Sequence, residues 1–458
     1  MKRFQRNMID GPLLPNVLMY TIPIILTSVL QLLFNAADLV VVGQFCGNTS
    51  VAAVGATSAI TNLIINVFIG LSVGTGVSVA HAVGSKNEEE THRAVHTAIP
   101  AALIGGVILT VVGVCGARTF LTWMDTPDKV LELATLYMQI YFAGITFNLV
   151  YNFCASILRA AGDTKSPLIF LALAGVINVI LNLVFVTQFH MNVAGVALAT
   201  ILSQAVSAVL VMWALMRRQD ACKLHLGKLR FYREQLIKMI RIGLPAGIQG
   251  SLFSISNVMI QSSINSFGEV VMSGNTAAAT IEGFVYVTLN AFHQSALNFT
   301  GQNAGAGRFD RVKKTLLVCL ASVAVASISA GWLAYGLGPV LLPLYITDSA
   351  EAVGYGLTRM AYICIPYFLC GLMDVSTGAL RGMGASVEPM ILSVLGVCGI
   401  RILWIYTIFP LPQFHTPECL YLSYTVSWTA TFVMQMIAYC VIYRKKSRQY
   451  LPIAGGKQ

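Results

Sequence analysis

LRAAGDTKSP at 158–167 returns as LRGMGASVEP at 380–389, with leucine, arginine, glycine and proline in register across an offset of 222 in a chain of 458 residues. An offset near half the chain is the mark of a duplication, and a repeat fixes architecture before any motif does. Other pairs keep it or nearly so: Ile22-Pro23 against Leu244-Pro245, Asn35 against Asn257, and GSK at 84–86 against GAG at 305–307. Two equivalent lobes are expected.

The medium around those lobes follows from composition. Hydrophobic residues make up 56% of the chain and charged residues 10%, with a mean hydropathy of +0.73, which leaves too little polar side chain to clothe a water-soluble globule. About 20 apolar residues at 1.5 Å rise cross a hydrocarbon core of roughly 30 Å. Stretches of that kind are read at 15–43, 52–80, 94–116, 132–157, 166–189, 193–216, 241–266, 276–300, 315–337, 355–380, 388–410 and 420–443. The expected fold class is therefore an all-α membrane protein, with twelve transmembrane helices in two six-helix lobes around a central cleft. An even number of spans per lobe makes the repeats parallel, each entering the membrane in the same sense.

Lysine and arginine orient the spans, because cytoplasmic loops retain them. Twenty-five of the 29 fall on the side of the N-terminus, eight of them between Arg217 and Arg241. The opposite loops hold Arg118 and Lys129, while Arg359 and Arg401 fall in or beside helices. The expected organisation is an N-terminal lobe at 1–216, a solvated or surface-lying basic cytoplasmic linker at 217–241, a C-terminal lobe at 242–443 and a cytoplasmic tail at 444–458. Both termini are placed in the cytoplasm, and the protein in the inner membrane of a bacterium. The net charge of +10 is then a matter of topology and anionic lipid headgroups, with membrane lipid as the partner and no nucleic acid. Lys2, Arg3 and Arg6 ahead of an apolar run suit a signal peptide superficially, but the run is too long and carries Pro23 and Asp38, so an uncleaved first helix is expected.

Enzymatic patterns are weak. The chain has no G-x-x-x-x-G-K-[ST] and no H-E-x-x-H, and none of its ten cysteines forms C-x-x-C, so no cofactor and no metal beyond a sodium ion is expected. GLSVG at 70–74 matches the nucleophile-elbow pattern, yet that needs a strand-to-helix turn. In an apolar helix, Gly70 and Gly74 instead make a G-x-x-x-G packing face. A carrier is expected, not an enzyme.

Ionisable groups at membrane depth are functional hypotheses by default. Asp38, Glu282, Asp374 and Arg401 qualify, and the repeat shows that none is shared between lobes: their counterparts are Ile260, Ile60, Asn152 and Val179. Asp38 has oxygen-bearing company in Asn178 and Asn182, four apart on one helical face, and in Thr200. Carboxylate, carbonyl and hydroxyl oxygens are what a sodium ion or a proton relay uses. Glu282, Asp374 and Arg401 are candidates for an ion or substrate in the C-terminal lobe. For Asp374 the structural reading is a pair with Arg381, and for Arg401 a pair with Asp374; His293 reads as a hydrogen-bonded core residue. Pro23 and Pro245, at matching places in the first helix of each lobe, remove a backbone hydrogen bond and are the expected hinges.

Taken together, the twelve spans, FNAADLVVVGQF at 34–45, LR-x-x-G in both halves and GQNAGAG at 301–307 resemble the multidrug and toxic compound extrusion (MATE) family over nearly the whole chain. The resemblance implies an antiporter that exports organic cations and other amphipathic drugs in exchange for H⁺ or Na⁺. It also implies a coupling-ion site on Asp38, Asn178, Asn182 and Thr200, with Asn182 standing where many members have a second acid. The seventh span lacks an embedded acid, Glu269 lying beyond it, so Glu282 is the acid the C-terminal lobe offers. A flippase for lipid-linked saccharide precursors is the alternative on the same fold; its pyrophosphate cargo would call for several cleft cations, and only Arg401 is central.

Overall fold

The computed structural model describes residues 7–124, 126–346 and 349–450, and these are helical throughout, with no strand among them. Lys2, Arg3, Arg6 and Lys457 of the orientation argument lie outside the described residues. Two compact units emerge. One gathers Ile22–Ser251, the other Met8–Thr21 with the chain from Leu252 onward.

The first repeat comprises α1 (Leu13–Phe45), α2 (Asn48–Gly84), α3 (Glu88–Trp123), α4 (Asp128–Ala143), α5 (Ile145–Ala160), α6 (Lys165–Leu183) and α7 (Asn192–Met216). The second comprises α8 (Arg233–Asn265), α9 (Glu269–Gly305), α10 (Phe309–Tyr345), α11 (Ala350–Cys364), α12 (Tyr367–Gly382), the broken run α13 (Val387–Ser393) and α14 (Ile400–Thr407), and α15 (Pro417–Tyr450). Shifting the first set by 222 lays each helix on its counterpart to within a few residues, except that α15 runs twelve residues past the shifted end of α7. Eight spans are long and apolar enough alone, and α4–α5 and α11–α12 form one span each, bent by 46° and 43°. The bends share a register, Gly144 in one copy and Ile365-Pro366 in the other. With α8 and α9, 33 and 37 residues long, the segments number twelve, six per repeat. These last two are less apolar because they carry Gln249, Asn257, Gln261, Asn275, Glu282 and His293.

The duplicated decapeptide has a local physical cause. α5 and α12 each end in a left-handed glycine, Gly162 at φ 88° and Gly384 at φ 81°, a conformation that costs an L side chain about 1–2 kcal/mol. The amides after them bond back five residues, Asp163 to the Leu158 carbonyl at 2.8 Å and Ala385 to the Leu380 carbonyl at 3.1 Å. This is the Schellman closure that stops a helix. Asp163 then accepts from the Ser166 amide at 3.0 Å and opens α6, while Pro167 and Pro389 sit in first turns where a missing N–H costs nothing. The same closure recurs at Lys86 and Gly307, which is why GSK and GAG are paired.

Unit boundaries fall inside helices rather than at the connector. The first half of α8 stays with the first unit because glycines meet: a Cβ on Gly70 would lie 2.3 Å from the Gly247 amide nitrogen, and one on Gly74 would lie 2.1 Å from the Met239 carbonyl. GLSVG is thus a packing face inside α2, with Ser72 Oγ donating to the Ile69 carbonyl at 2.7 Å. In the second unit, Thr21 and Ser295 share a 2.7 Å hydrogen bond and Asn303 Nδ2 donates to the Met8 carbonyl at 3.0 Å, fastening the start of α1 to α9.

The basic connector expected at 217–241 is shorter and lies along the surface. It is helical again from Arg233, and the part before is strapped to α3. The His225 amide donates to His96 Nε2 at 3.0 Å and the Tyr232 amide to Thr97 Oγ1 at 3.2 Å, while Cys222 and Leu224 are buried in the first unit's core. Buried Arg218 is held by a two-pronged contact to Asp220, its Nε at 2.9 Å from Oδ1. Burial pushes the Cys222 thiol up to about 12, which makes it a packing residue at neutral pH. A charge-rich stretch that still carries apolar residues every few positions is anchored by them.

Candidate functional site

In the first unit, α1, α6 and α7 bring the four oxygen-bearing residues together. Asn182 Nδ2 donates to Asp38 Oδ1 and, at 3.3 Å, to Asn178 Oδ1. Thr200 Oγ1 lies 3.4 Å from Asp38 Oδ2 and also takes the Asn178 amide at 3.4 Å. Asn178 and Asn182 are buried, and Asn182 Oδ1 is enclosed with no hydrogen-bond partner. A buried carbonyl oxygen without a donor is costly. Beside a carboxylate, it is an acceptor of the kind a cation or a protonated carboxyl can engage.

Helix approach makes this possible. A Cβ on Gly175 would fall 1.8 Å from the Phe34 ring, so glycine lets α1 lie against α6 one turn from Asn178 and Asp38. Immediately after Asn182 the helix widens into a π turn, Val184–Gln188, a distortion that gathers at functional positions. Gly175→Ala should therefore drive the Phe34 ring and Asp38 off α6. Ion-coupled efflux is expected to fall severalfold, and Gly175→Ala with Phe34→Leu to restore it; a single variant with wild-type efflux contradicts this.

The second unit places its charges differently. Glu282 on α9 is engaged by Arg359 on α11: Nε to Oε1 at 2.9 Å and Nη2 to Oε2 at 2.7 Å. Arg359 Nη1 donates to Asn275 Oδ1 at 2.7 Å, and Tyr421 OH reaches the same oxygen at 3.3 Å. Sequence reading left Arg359 unassigned, since nothing in a spacing of 77 residues signals a pair. Asp374 on α12 interacts with the charge of Arg381 on the same helix, and it also reaches α9. What it offers its neighbour is its backbone carbonyl, which accepts His293 Nδ1–H at 2.7 Å. Gly378 permits that approach, because a Cβ there would meet the His293 carbonyl at 2.5 Å.

Arg401 does not pair with Asp374. It is 4% exposed and donates to Ser427 Oγ at 3.1 Å and Asn257 Oδ1 at 3.4 Å, with its guanidinium 4.0 Å over the Tyr424 ring. Pro23 and Pro245 lie within continuous α1 and α8. All ten cysteines are free thiols, Cys46 and Cys419 included.

The MatE family model matches residues 23–184 and again 245–407, once for each repeat. The chain belongs to the MATE family. Among its relatives, the probable multidrug resistance protein YpnP of Bacillus subtilis is 26% identical over 401 residues, 86% of this chain and 87% of that protein. YoeA, another probable multidrug resistance protein of Bacillus subtilis, is 25% identical over 447 residues, 93% and 94% of the two chains. A MATE crystal structure in complex with MaL6 superposes with a TM-score of 0.89 at 20% identity, covering 96% of this chain and 98% of the other. This MATE transporter is a multi-pass membrane protein with two six-helix repeats.

Proposed function

We propose that this MATE protein is a secondary antiporter that exports cationic or amphipathic organic compounds in exchange for H⁺ or Na⁺ by alternating access. The observation that carries this reading is the Asp38 cluster, above all the enclosed, unpartnered Asn182 Oδ1 beside the carboxylate. A Na⁺ would satisfy that oxygen together with Asp38, Asn178 and Thr200; a proton on Asp38 would instead donate to it. The multidrug resistance names of the Bacillus relatives support the substrate class. Pro23 and Pro245 supply the hinges, since each leaves a backbone carbonyl without its helical donor. The bias of lysine and arginine supports a bacterial inner membrane with both termini cytoplasmic.

The deciding experiment is ethidium efflux from vesicles carrying the full chain, under separately imposed sodium and pH gradients. Efflux driven by one gradient identifies the coupling ion. Efflux indifferent to both overturns antiport.

A further inference from the structure

Each unit builds a polar cluster on the same trio of repeat-equivalent helices, and the two clusters have opposite charge. In the first, α1, α6 and α7 contribute Asp38, Asn178 with Asn182, and Thr200. In the second, α8, α14 and α15 contribute Asn257, Arg401 and Ser427. A π turn adjoins both: Val184–Gln188 follows Asn182, and Val394–Gly399 precedes Arg401. One cluster carries an acid on its first helix and the other a base on its middle one.

The two buried arginines of the second unit are provided for differently. Arg359 has a carboxylate. Arg401 has two neutral oxygens and the faces of Tyr424 and Trp428, with no carboxylate within ion-pair distance among the described residues. A buried cation without an anion is costly, and cation–π contacts offset only part of that cost. Two of its five N–H groups are used, and Nη2, which makes no hydrogen bond, is not among the sealed orphan atoms. That leaves the Nη2 donors of a planar guanidinium uncommitted, the group that takes an oxyanion by two parallel bonds. Beside it stand stacked rings, Tyr367 against Trp428 with centroids 5.4 Å apart and Tyr424 edge-on to Trp428 at 5.6 Å.

We infer that the second unit holds an anion site in which Arg401 binds the carboxylate or phosphate of an aromatic organic compound, whose flat body lies against the edge of the Tyr424–Trp428 ring cluster. The site is independent of the Asp38 cluster and does not require ion coupling to be as proposed. It gives the transporter two polarities, a cation site in one repeat and an oxyanion site in the other.

Calorimetric binding of 2-naphthoate, 2-naphthyl phosphate and neutral 2-naphthol to the purified full chain tests it. At least one anionic probe should bind about tenfold or more tightly than 2-naphthol, and the stronger of the two identifies the oxyanion. Arg401→Gln should erase the preference, and Asp38→Asn should leave it intact. Trp428→Leu should weaken all three probes while keeping the preference, which tests the site even where Arg401→Gln does not fold. No anionic preference in the wild-type protein, or an equal one in folded Arg401→Gln, overturns the inference.

Discussion

Asp38→Asn should abolish ion-coupled efflux while leaving the protein folded. The amide is isosteric with the carboxylate and its oxygen can still accept from Asn182 Nδ2, so the packing of α1 against α6 is kept. What disappears is the only negative charge among the four clustered residues. A charge-assisted contact is worth about 1.5–3 kcal/mol, so affinity for a bound cation should drop by about 10- to 150-fold, and an amide cannot load a proton in this range at all. Two measurements check this. Ethidium efflux in a pump-deleted host should fall to the empty-vector level. If sodium is the coupling ion, it should raise the melting temperature of the purified wild-type protein by mass action and leave Asp38→Asn unmoved. Retained efflux in the variant would remove Asp38 from the mechanism.

The repeat made most of the fold legible from residues alone. The 222-residue offset predicts six spans per lobe, and its chemistry is visible in the letters: a glycine needed for a left-handed helix stop, then a proline that only a first turn accepts. The Asp38 cluster was legible for a related reason. Asn178 and Asn182 stand one turn apart in an otherwise apolar stretch, where polar residues need a partner. What stayed hidden was pairing across helices. Arg359 lies 77 residues from Glu282, and neither helical periodicity nor the repeat links them, because each has an apolar or neutral counterpart. Arg401 looked like a partner for Asp374 since opposite charges at similar depth invite pairing; the folded helices direct it to Tyr424 instead. The connector's charge count reads as surface-lying, but composition says nothing of Cys222 and Leu224, the buried side chains that fasten it to the first unit.

Breaking the Glu282–Arg359 pair from one side should be the most destabilising single change in the second unit. Both side chains are buried, and the pair is completed by Asn275, Tyr421 and the Tyr421 and Tyr424 rings, so that every strong donor of Arg359 has a destination. Removing one partner leaves an uncompensated charge in a water-poor interior, at a cost of about 3–5 kcal/mol. Arg359→Met and Glu282→Gln are each expected to lower the melting temperature by several degrees. The double variant Glu282→Gln/Arg359→Met should recover much of the loss, because it buries no charge, and that non-additivity is the signature of a coupled pair. Transport then separates structure from coupling. If Glu282 serves only to neutralise Arg359, the double variant keeps its dependence on the driving ion gradient. If Glu282 carries the coupling ion, the double variant folds, melts near the wild type and no longer responds to the gradient. The first outcome is expected, since a carboxylate held by two bonds to a guanidinium has little lone-pair capacity left for a transported cation, whereas Asp38 faces an oxygen that has no donor at all.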